Sequence, residues 1–206
     1  MENRDKFLST IDCFGKNVLE IGPKHGRHTQ IVSSKKPKSI TCVDLSHKKE
    51  LVSTWSKRIE APLTIHFADF LRWETKEKYD VILFAGVMYH NTEQLRLLKK
   101  LQSLSTDSNT ILYFESATTR NEDLKDKNVI EVHWPKAYRD VPTIRFLPSH
   151  SACCALLEMA GWEIIEKVTL NSDRIKIICR NSGEKLKTYI DVDHEYLEKD
   201  SYKTDT

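Results

Sequence analysis

The chain has 206 residues, of which 39% are hydrophobic and 30% charged, with 32 Lys and Arg against 30 Asp and Glu. This composition excludes collagen, linker and low-complexity disordered chains. The longest largely apolar run, residues 81–88, is far shorter than the ~20 residues that span a bilayer, and the charged N-terminal residues predict no secretory signal. Five cysteines, an odd number without a CxxC pair or a signal peptide, predict reduced thiols in a cytoplasmic protein. The Cys and His spacing indicates no metal site, although the eight histidines could still meet in space, and we expect no membrane partner.

Short apolar runs recur along the chain and predict strands. Most of them lack alternation, which is typical of strands buried on both faces of a parallel sheet. The runs are 17–21, 39–43, 63–67, 79–85 and 110–114. Two further β-rich runs, 162–169 and 174–179, are joined by turn-forming residues and predict a hairpin.

Helical periodicity separates these runs. Apolar residues recur at helical spacing after Ser46 and again after Thr92, which we expect to be an N-cap. A third helix opens at Ser149 and closes at Gly161. Repeated strand-then-helix units predict an α/β, Rossmann-like fold: a doubly wound, mostly parallel seven-stranded sheet with an antiparallel C-terminal edge pair.

The predicted elements form one domain over residues 1–183. Within it, residues 116–142 are polar and without clear period, and a connection of this length in a compact domain is often a functional lid. Residues 184–206 are acidic, and we expect them to form a C-terminal appendage.

Acidic residues end or follow four of the predicted strands. They are Glu20, Asp44, Asp69 and Glu115. The carboxyl ends of strands in an open α/β sheet meet at the edge where ligands bind. A carboxylate can accept hydrogen bonds from both hydroxyls of a ribose, and Asp44, 22 residues after Gly22, stands where nucleoside-binding folds place such an acid. The same positions also suit helix caps, and Asp69 could organise a turn instead.

Two glycines, Gly22 and Gly26, follow the first strand and would let the backbone turn sharply beside a cofactor. The GxxxxGK[ST] pattern of a P-loop is absent. Lys24 also replaces the middle glycine of a dinucleotide-binding loop, which argues against a pyrophosphate seated on this turn.

The strings VLEIGPKHGRHT, CVDLS, HFADF, YDVILFAGVMYH and ILYFES resemble the class I S-adenosylmethionine-dependent methyltransferases over about residues 15–180. The resemblance implies an S-adenosyl-L-methionine cofactor. Its methionine part would lie against Glu20, Gly22 and Gly26. Its ribose would bind Asp44, and its adenine would meet Asp69. Lys24, where the family has a glycine, could point to solvent, pair with the cofactor's carboxylate, or mark a site that no longer binds the cofactor.

In that family, the segment matching Gly86 to His90 flanks the transferred methyl group. Transfer from a sulfonium is an in-line displacement with a good leaving group, so the protein mainly supplies alignment and a water-poor site. A base is needed only when the acceptor atom loses a proton. His90, with an ordinary pKa near ~6.5, is the candidate base. The alternative role of His90 is to cap the next helix. Tyr89 either walls the methyl site or packs. The candidate acceptor-binding residues are Glu115, His133, Trp134 and Tyr138.

A narrower resemblance, carried by GVMYH, Glu115 and IRFLPSHSACCALLEMAGW, is to the catalytic domain of the tRNA wobble-uridine carboxymethyltransferase family. That family uses a carboxylated cofactor. It has a cationic residue where this chain has Pro142, and a tyrosine where this chain has Arg27. We therefore expect ordinary methyl transfer.

Residues 24–60 hold nine Lys and Arg against three Asp and Glu. Such a stripe could contact RNA phosphates or form the solvated outer face of helices. Because no RNA-binding module is attached, we expect a small-molecule acceptor, with a tRNA- or RNA-modifying methyltransferase as the alternative. A nicotinamide-dependent reductase is disfavoured by the loop, and a catalytically silent methyltransferase-like subunit remains a further alternative.

Overall fold

The computed structural model describes residues 8–170 and 173–184. Its strands are β1 Asn17–Ile21, β2 Ser39–Asp44, β3 Leu63–Phe67, β4 Val81–Ala85, β5 Ile111–Ala117, β6 Ile130–Val132, β7 Phe146–Pro148, β8 Trp162–Leu170 and β9 Arg174–Asn181. Its α-helices are α1 Arg27–Ser33, α2 Lys49–Ser56, α3 Gln94–Ser103 and α4 His150–Met159. No helix of this described part is both long and apolar enough to cross a membrane.

A seven-stranded sheet in the order β3-β2-β1-β4-β5-β9-β8 forms the centre of the molecule. Strands β1 to β5 pair in parallel, whereas β9 is antiparallel to both of its neighbours, β5 and β8. The predicted doubly wound, mostly parallel sheet with an antiparallel C-terminal pair is therefore confirmed. The strand order reverses between β1 and β4, and ligands bind beyond the carboxyl ends of the strands at such a point.

Each face of the sheet is covered by helices. On one face, α1 and α2 bury Val32 and Trp55; on the other, α3 and α4 bury Leu98 and Leu157. Because both faces are covered, the central strand β4 is apolar throughout and shows no alternation.

The segment after β3 contains turns instead of the helix that a regular repeat would place there. Residues 68–80 carry Phe70 and Trp73 into the core, where both side chains are buried. The carboxyl end of β3 is thus followed by a short return to β4, and this leaves Asp69 at the surface.

The predicted helix starts are confirmed at one place and shifted at another. Ser149 caps α4 as expected, because its hydroxyl accepts a hydrogen bond from the backbone N–H of Ala152 at 2.9 Å. Thr92 is not the cap of α3. The side chain of Asn91 instead accepts a hydrogen bond from the N–H of Glu93 at 2.7 Å, and this turn sets the entry to the helix.

The connection between β5 and α4, which we call the lid, packs on Ala117 at the carboxyl end of β5. It contains a short 3-10 helix, Glu122–Leu124, and the two-stranded sheet of β6 and β7. Its limits differ from the predicted 116–142, because residues 116 and 117 belong to β5 and β7 lies beyond 142. The predicted acidic appendage, 184–206, lies outside the described residues except for its first residue.

Candidate active site

The loop after β1 has a left-handed backbone at three alternate positions. The φ angle is 68° at Gly22, 49° at Lys24 and 68° at Gly26. A Cβ on Gly22 would lie 2.8 Å from a methyl of Val87, and one on Gly26 would lie 2.2 Å from the ring of Trp55. The two predicted glycines are therefore required by both conformation and space, and Lys24 keeps the glycine-like conformation at a steric cost.

Asp44 anchors this loop from the end of β2. Its Oδ2 accepts a hydrogen bond from the N–H of Lys24 at 3.1 Å, and its Oδ1 accepts one from the N–H of Leu45 at 2.8 Å. The indole of Trp55 donates to the carbonyl of Lys24 at 2.8 Å. The main chain of Lys24 is thus held on both sides, and its side chain is exposed.

Glu20 lies deeper, beneath α1, and is 3% exposed. Its Oε2 accepts a hydrogen bond from the hydroxyl of Thr29 at 2.6 Å, and the Nδ1 of His28 lies 4.0 Å from its Oε1. The pKa of Glu20 is raised to about 7, because burial outweighs the hydrogen bond from Thr29, which lowers the pKa, and the nearby Asp44 adds a smaller rise.

The raised pKa predicts a pH-dependent effect of Glu20→Gln on stability. A folded-state pKa of about 7 against an ordinary 4.5 means that the folded protein binds this proton more tightly than the unfolded chain. The favourable contribution of Glu20 is therefore complete below pH 4.5 and is lost as the pH rises to about 7. We expect Glu20→Gln to stabilise the protein by about 1–3 kcal/mol at pH 8. In urea unfolding, a gain of equal size at pH 8 and pH 4.5 would contradict this assignment.

Asp69 is exposed beside β2, and the N–H of Ala68 donates to the carbonyl of Asp44 at 2.9 Å. The Oδ1 of Asp69 accepts a hydrogen bond from the N–H of Leu71 at 3.0 Å. The turn-organising role is therefore present, and the proposed contact with adenine stays a prediction.

The segment after β4 places Gly86, Tyr89 and His90 next to β5. The N–H of Gly86 donates to the carbonyl of Glu115 at 3.0 Å, and the φ of Gly86 is 75°. Tyr89 is buried, its ring centroid lies 4.5 Å from that of His90, and burial raises the pKa of its hydroxyl. Tyr89 thus packs as predicted in one of its two interpretations.

His90 is exposed to solvent, and its ring contacts the lid through Nδ1. Its Nδ1 lies 2.8 Å from the carbonyl oxygen of Thr143. Because a carbonyl only accepts, Nδ1 carries the proton and Nε2 has the free lone pair. Partial removal of the ring from water lowers the pKa of His90. The hydrogen bond to Thr143 opposes this shift, and nearby cations, including Lys24, add to it. The neutral ring is therefore favoured.

Of the predicted acceptor residues, the structure brings two near this segment. Glu115 is buried. Tyr138 is 2% exposed and packs in a hydrophobic cluster that includes Tyr89. His133 lies farther out, with its Nε2 3.9 Å from Glu131. Trp134 is 85% exposed and is not part of the cluster.

Sequence reasoning missed Arg174, which forms a two-pronged ion pair with Glu115 and has its Nη2 3.5 Å from the hydroxyl of Tyr89. Antiparallel pairing sets Arg174 opposite Ala117, at the carboxyl end of β5. The predicted hairpin could have revealed this, because an antiparallel last strand begins at the edge where the parallel strands end. In the described part of the chain, no group of three His, Cys, Asp or Glu side chains could hold a metal ion.

The chain is similar to known methyltransferases. A family model for the methyltransferase domain matches residues 2–167. The tRNA U34 carboxymethyltransferase of Wolinella succinogenes is 26% identical over 168 residues, which cover 78% of this chain and 56% of that protein. The chain therefore spans little more than half the length of this relative.

Solved structures share the fold at low identity. The N-methyltransferase NodS from Bradyrhizobium japonicum WM9, in complex with S-adenosyl-L-homocysteine, has a TM-score of 0.64 at 18% identity, covering 86% of this chain and 85% of NodS. An S-adenosylmethionine-dependent methyltransferase from Mesorhizobium loti has a TM-score of 0.70 at 10% identity, covering 85% and 96%. Since the family model matches most of the chain, this protein belongs to the methyltransferase domain family, as a class I S-adenosylmethionine-dependent methyltransferase.

Proposed function

We propose that this protein is a cytoplasmic enzyme that transfers a methyl group from S-adenosyl-L-methionine to a small-molecule acceptor, with His90 as the base when the acceptor atom carries a proton. The observation that carries the proposal is the 2.8 Å contact between Nδ1 of His90 and the carbonyl of Thr143. It leaves Nε2 as a proton acceptor beside Tyr89, at the end of β4.

The strand-end residues fit the cofactor. Each oxygen of Asp44 accepts one backbone N–H, and a carboxylate offers about four lone-pair positions, so two remain for the hydroxyls of a ribose. Asp69 stands exposed at the next strand end, on the side proposed for adenine. The methionine part is assigned to Gly22, Gly26 and Glu20. When bound, S-adenosylmethionine supplies an electrophilic methyl group on a sulfonium.

The lid supports a small acceptor. Tyr138, Ile144 and Leu147 pack with Tyr89 and Ala117, so the lid covers the carboxyl end of β5. The lid keeps water from the buried Tyr89 and Ala117, and the exposed His90 beside them can be reached by a small acceptor. The proposed tasks of these residues are to orient the acceptor and to keep water out, while Nε2 of His90 takes the proton.

The change His90→Gln tests the proposed base. We expect transfer of label from methyl-labelled S-adenosylmethionine into a small-metabolite extract to fall by about 10²–10⁴-fold, the usual contribution of a positioned base. Glutamine cannot take a proton at this pH, yet its amide can still donate to Thr143. Calorimetric affinity for S-adenosylhomocysteine should stay unchanged. Undiminished turnover would remove His90 as the base.

A second candidate function is methylation of RNA, favoured by the similarity to the tRNA U34 carboxymethyltransferase of Wolinella succinogenes. The basic stripe gives it less support, because Lys35 is used to bind the carbonyls of Leu8, Ser9 and Ile11. The remaining exposed cations, such as Lys36, suit a solvated helical face as well as a phosphate contact.

A further inference from the structure

The lid turn, residues 134–144, is held to the sheet by one buried carboxylate. Asp173 is 2% exposed and lies between β8 and β9. Its Oδ2 accepts a hydrogen bond from the hydroxyl of Tyr138 at 2.9 Å and pairs with the guanidinium of Arg139. The Nε of Arg120 lies 3.7 Å from the same oxygen. A hydroxyl and two guanidinium groups of the lid thus converge on a single oxygen, with hydrogen bonds from Tyr138 and Arg139 and an ion-pair contact from Arg120.

We call the contacts of Asp173 with Tyr138 and Arg139 the latch. At neutral pH the protonation states of Asp173 and Tyr138 keep these contacts in place. Burial alone would raise the pKa of Asp173, but the hydrogen bond from Tyr138 and the ion pair with Arg139 outweigh it and lower the pKa. Burial and the hydrogen bond to Asp173 together raise the pKa of Tyr138 to about 12. The carboxylate therefore remains an acceptor and the phenol a donor.

The lid turn needs such a hold because its backbone is strained. The φ angle is 67° at Lys136, 50° at Arg139 and 55° at Asp140. Residues with a Cβ are disfavoured in this left-handed region, and strain of this kind persists only where surrounding contacts over-determine it. The contacts to Asp173 lie within this strained stretch.

The far end of the same turn carries the partner of His90. The N–H of Val141 donates to the carbonyl of Tyr138 at 3.0 Å, and two residues later the carbonyl of Thr143 meets Nδ1 of His90. The position of that carbonyl therefore depends on a turn that is fixed at Tyr138.

We propose that Asp173 is a positioning residue for methyl transfer. By holding Tyr138 and Arg139 it keeps the carbonyl of Thr143 on Nδ1 of His90, and this fixes the tautomer in which Nε2 accepts the proton. Asp173 does not touch the acceptor in this role. The inference rests on the proposed function of His90, and its test uses no acceptor.

The test is Tyr138→Phe, which removes one hydroxyl and keeps the packing of the ring. We expect tryptic cleavage after Lys136 to accelerate about tenfold, the factor that one net hydrogen bond represents. We also expect the ¹⁵N shifts of His90 to change from a protonated Nδ1 to a mixture of tautomers. The matched control is Tyr79→Phe, which loses a 3.0 Å hydrogen bond to Glu77 away from the lid and should change neither readout.

Faster cleavage with an unchanged tautomer of His90 would overturn the proposal, because the latch would then hold the lid without positioning the base. Unchanged cleavage would overturn it as well. If Tyr138→Phe does not fold, Arg139→Gln provides the same two readouts, since the Arg139 side chain is 48% exposed. The tautomer is measured without turnover, so this result is separate from the loss of activity expected for His90→Gln.

Discussion

Replacing Asp44 by alanine is expected to weaken the binding of S-adenosylhomocysteine about a hundredfold, measured by isothermal titration calorimetry. The change removes the carboxylate assigned to two ribose hydroxyls, and hydrogen bonds to a charged group contribute about 1.5–3 kcal/mol each. It also releases the N–H groups of Lys24 and Leu45, which the carboxylate holds at 3.1 and 2.8 Å. Both effects act on the cofactor side of the sheet.

The matched control is Asp80→Ala. Asp80 also accepts a hydrogen bond from a backbone N–H, that of Asn17 at 2.8 Å, but it lies at the start of β1 and β4, on the opposite edge of the sheet. Its loss should lower stability without changing the affinity. Unchanged affinity in Asp44→Ala would refute the ribose assignment, and absence of binding by the unaltered protein would favour a catalytically silent subunit.

The second large effect is expected for Gly26→Ala, which should lower the free energy of unfolding by about 2–4 kcal/mol in urea titrations. Alanine at a φ of 68° is strained, and its Cβ would lie 2.2 Å from the ring of Trp55, which is 1% exposed. Trp55 cannot move freely, because its indole bonds the carbonyl of Lys24. Loop and core must therefore shift together.

The variant Gly15→Ala separates the cost of the left-handed backbone from the cost of the contact with Trp55. Gly15 has a φ of 65°, and a Cβ there would meet no atom within 4 Å. It should therefore show only the cost of the left-handed backbone, about 1 kcal/mol. Equal losses in both variants would mean that the contact with Trp55 contributes nothing.

The sheet could be predicted because each strand repeats the same physical requirement. Residues buried on both faces are mostly apolar, so the run at 17–21 marks β1 to the residue. The run at 63–67 also matches its strand, although β3 is a partly buried edge strand. The grouping of acidic residues follows from that pattern, since the carboxyl ends of parallel strands lie at one edge of the sheet. Asp44 and Asp69 were found in this way.

The lid could not be predicted in the same way. Strands β6 and β7 have three residues each and too few positions to show a period. The sequence marks Tyr138 as an aromatic residue in a polar stretch, but its partner Asp173 stands out only as one of the turn-forming residues between the runs 162–169 and 174–179. The contact joins residues 35 apart, and nothing in the local sequence of either indicates it. Trp134 had the same local signal, yet it points outward.

The nature of the acceptor is tested most directly by incubating the protein with methyl-labelled S-adenosylmethionine and both a small-metabolite extract and total tRNA, then separating the products by size. The contact of the exposed His90 with the lid at Thr143 predicts label in the small-molecule fraction, lost in His90→Gln. Label confined to the tRNA fraction would contradict a small-molecule acceptor.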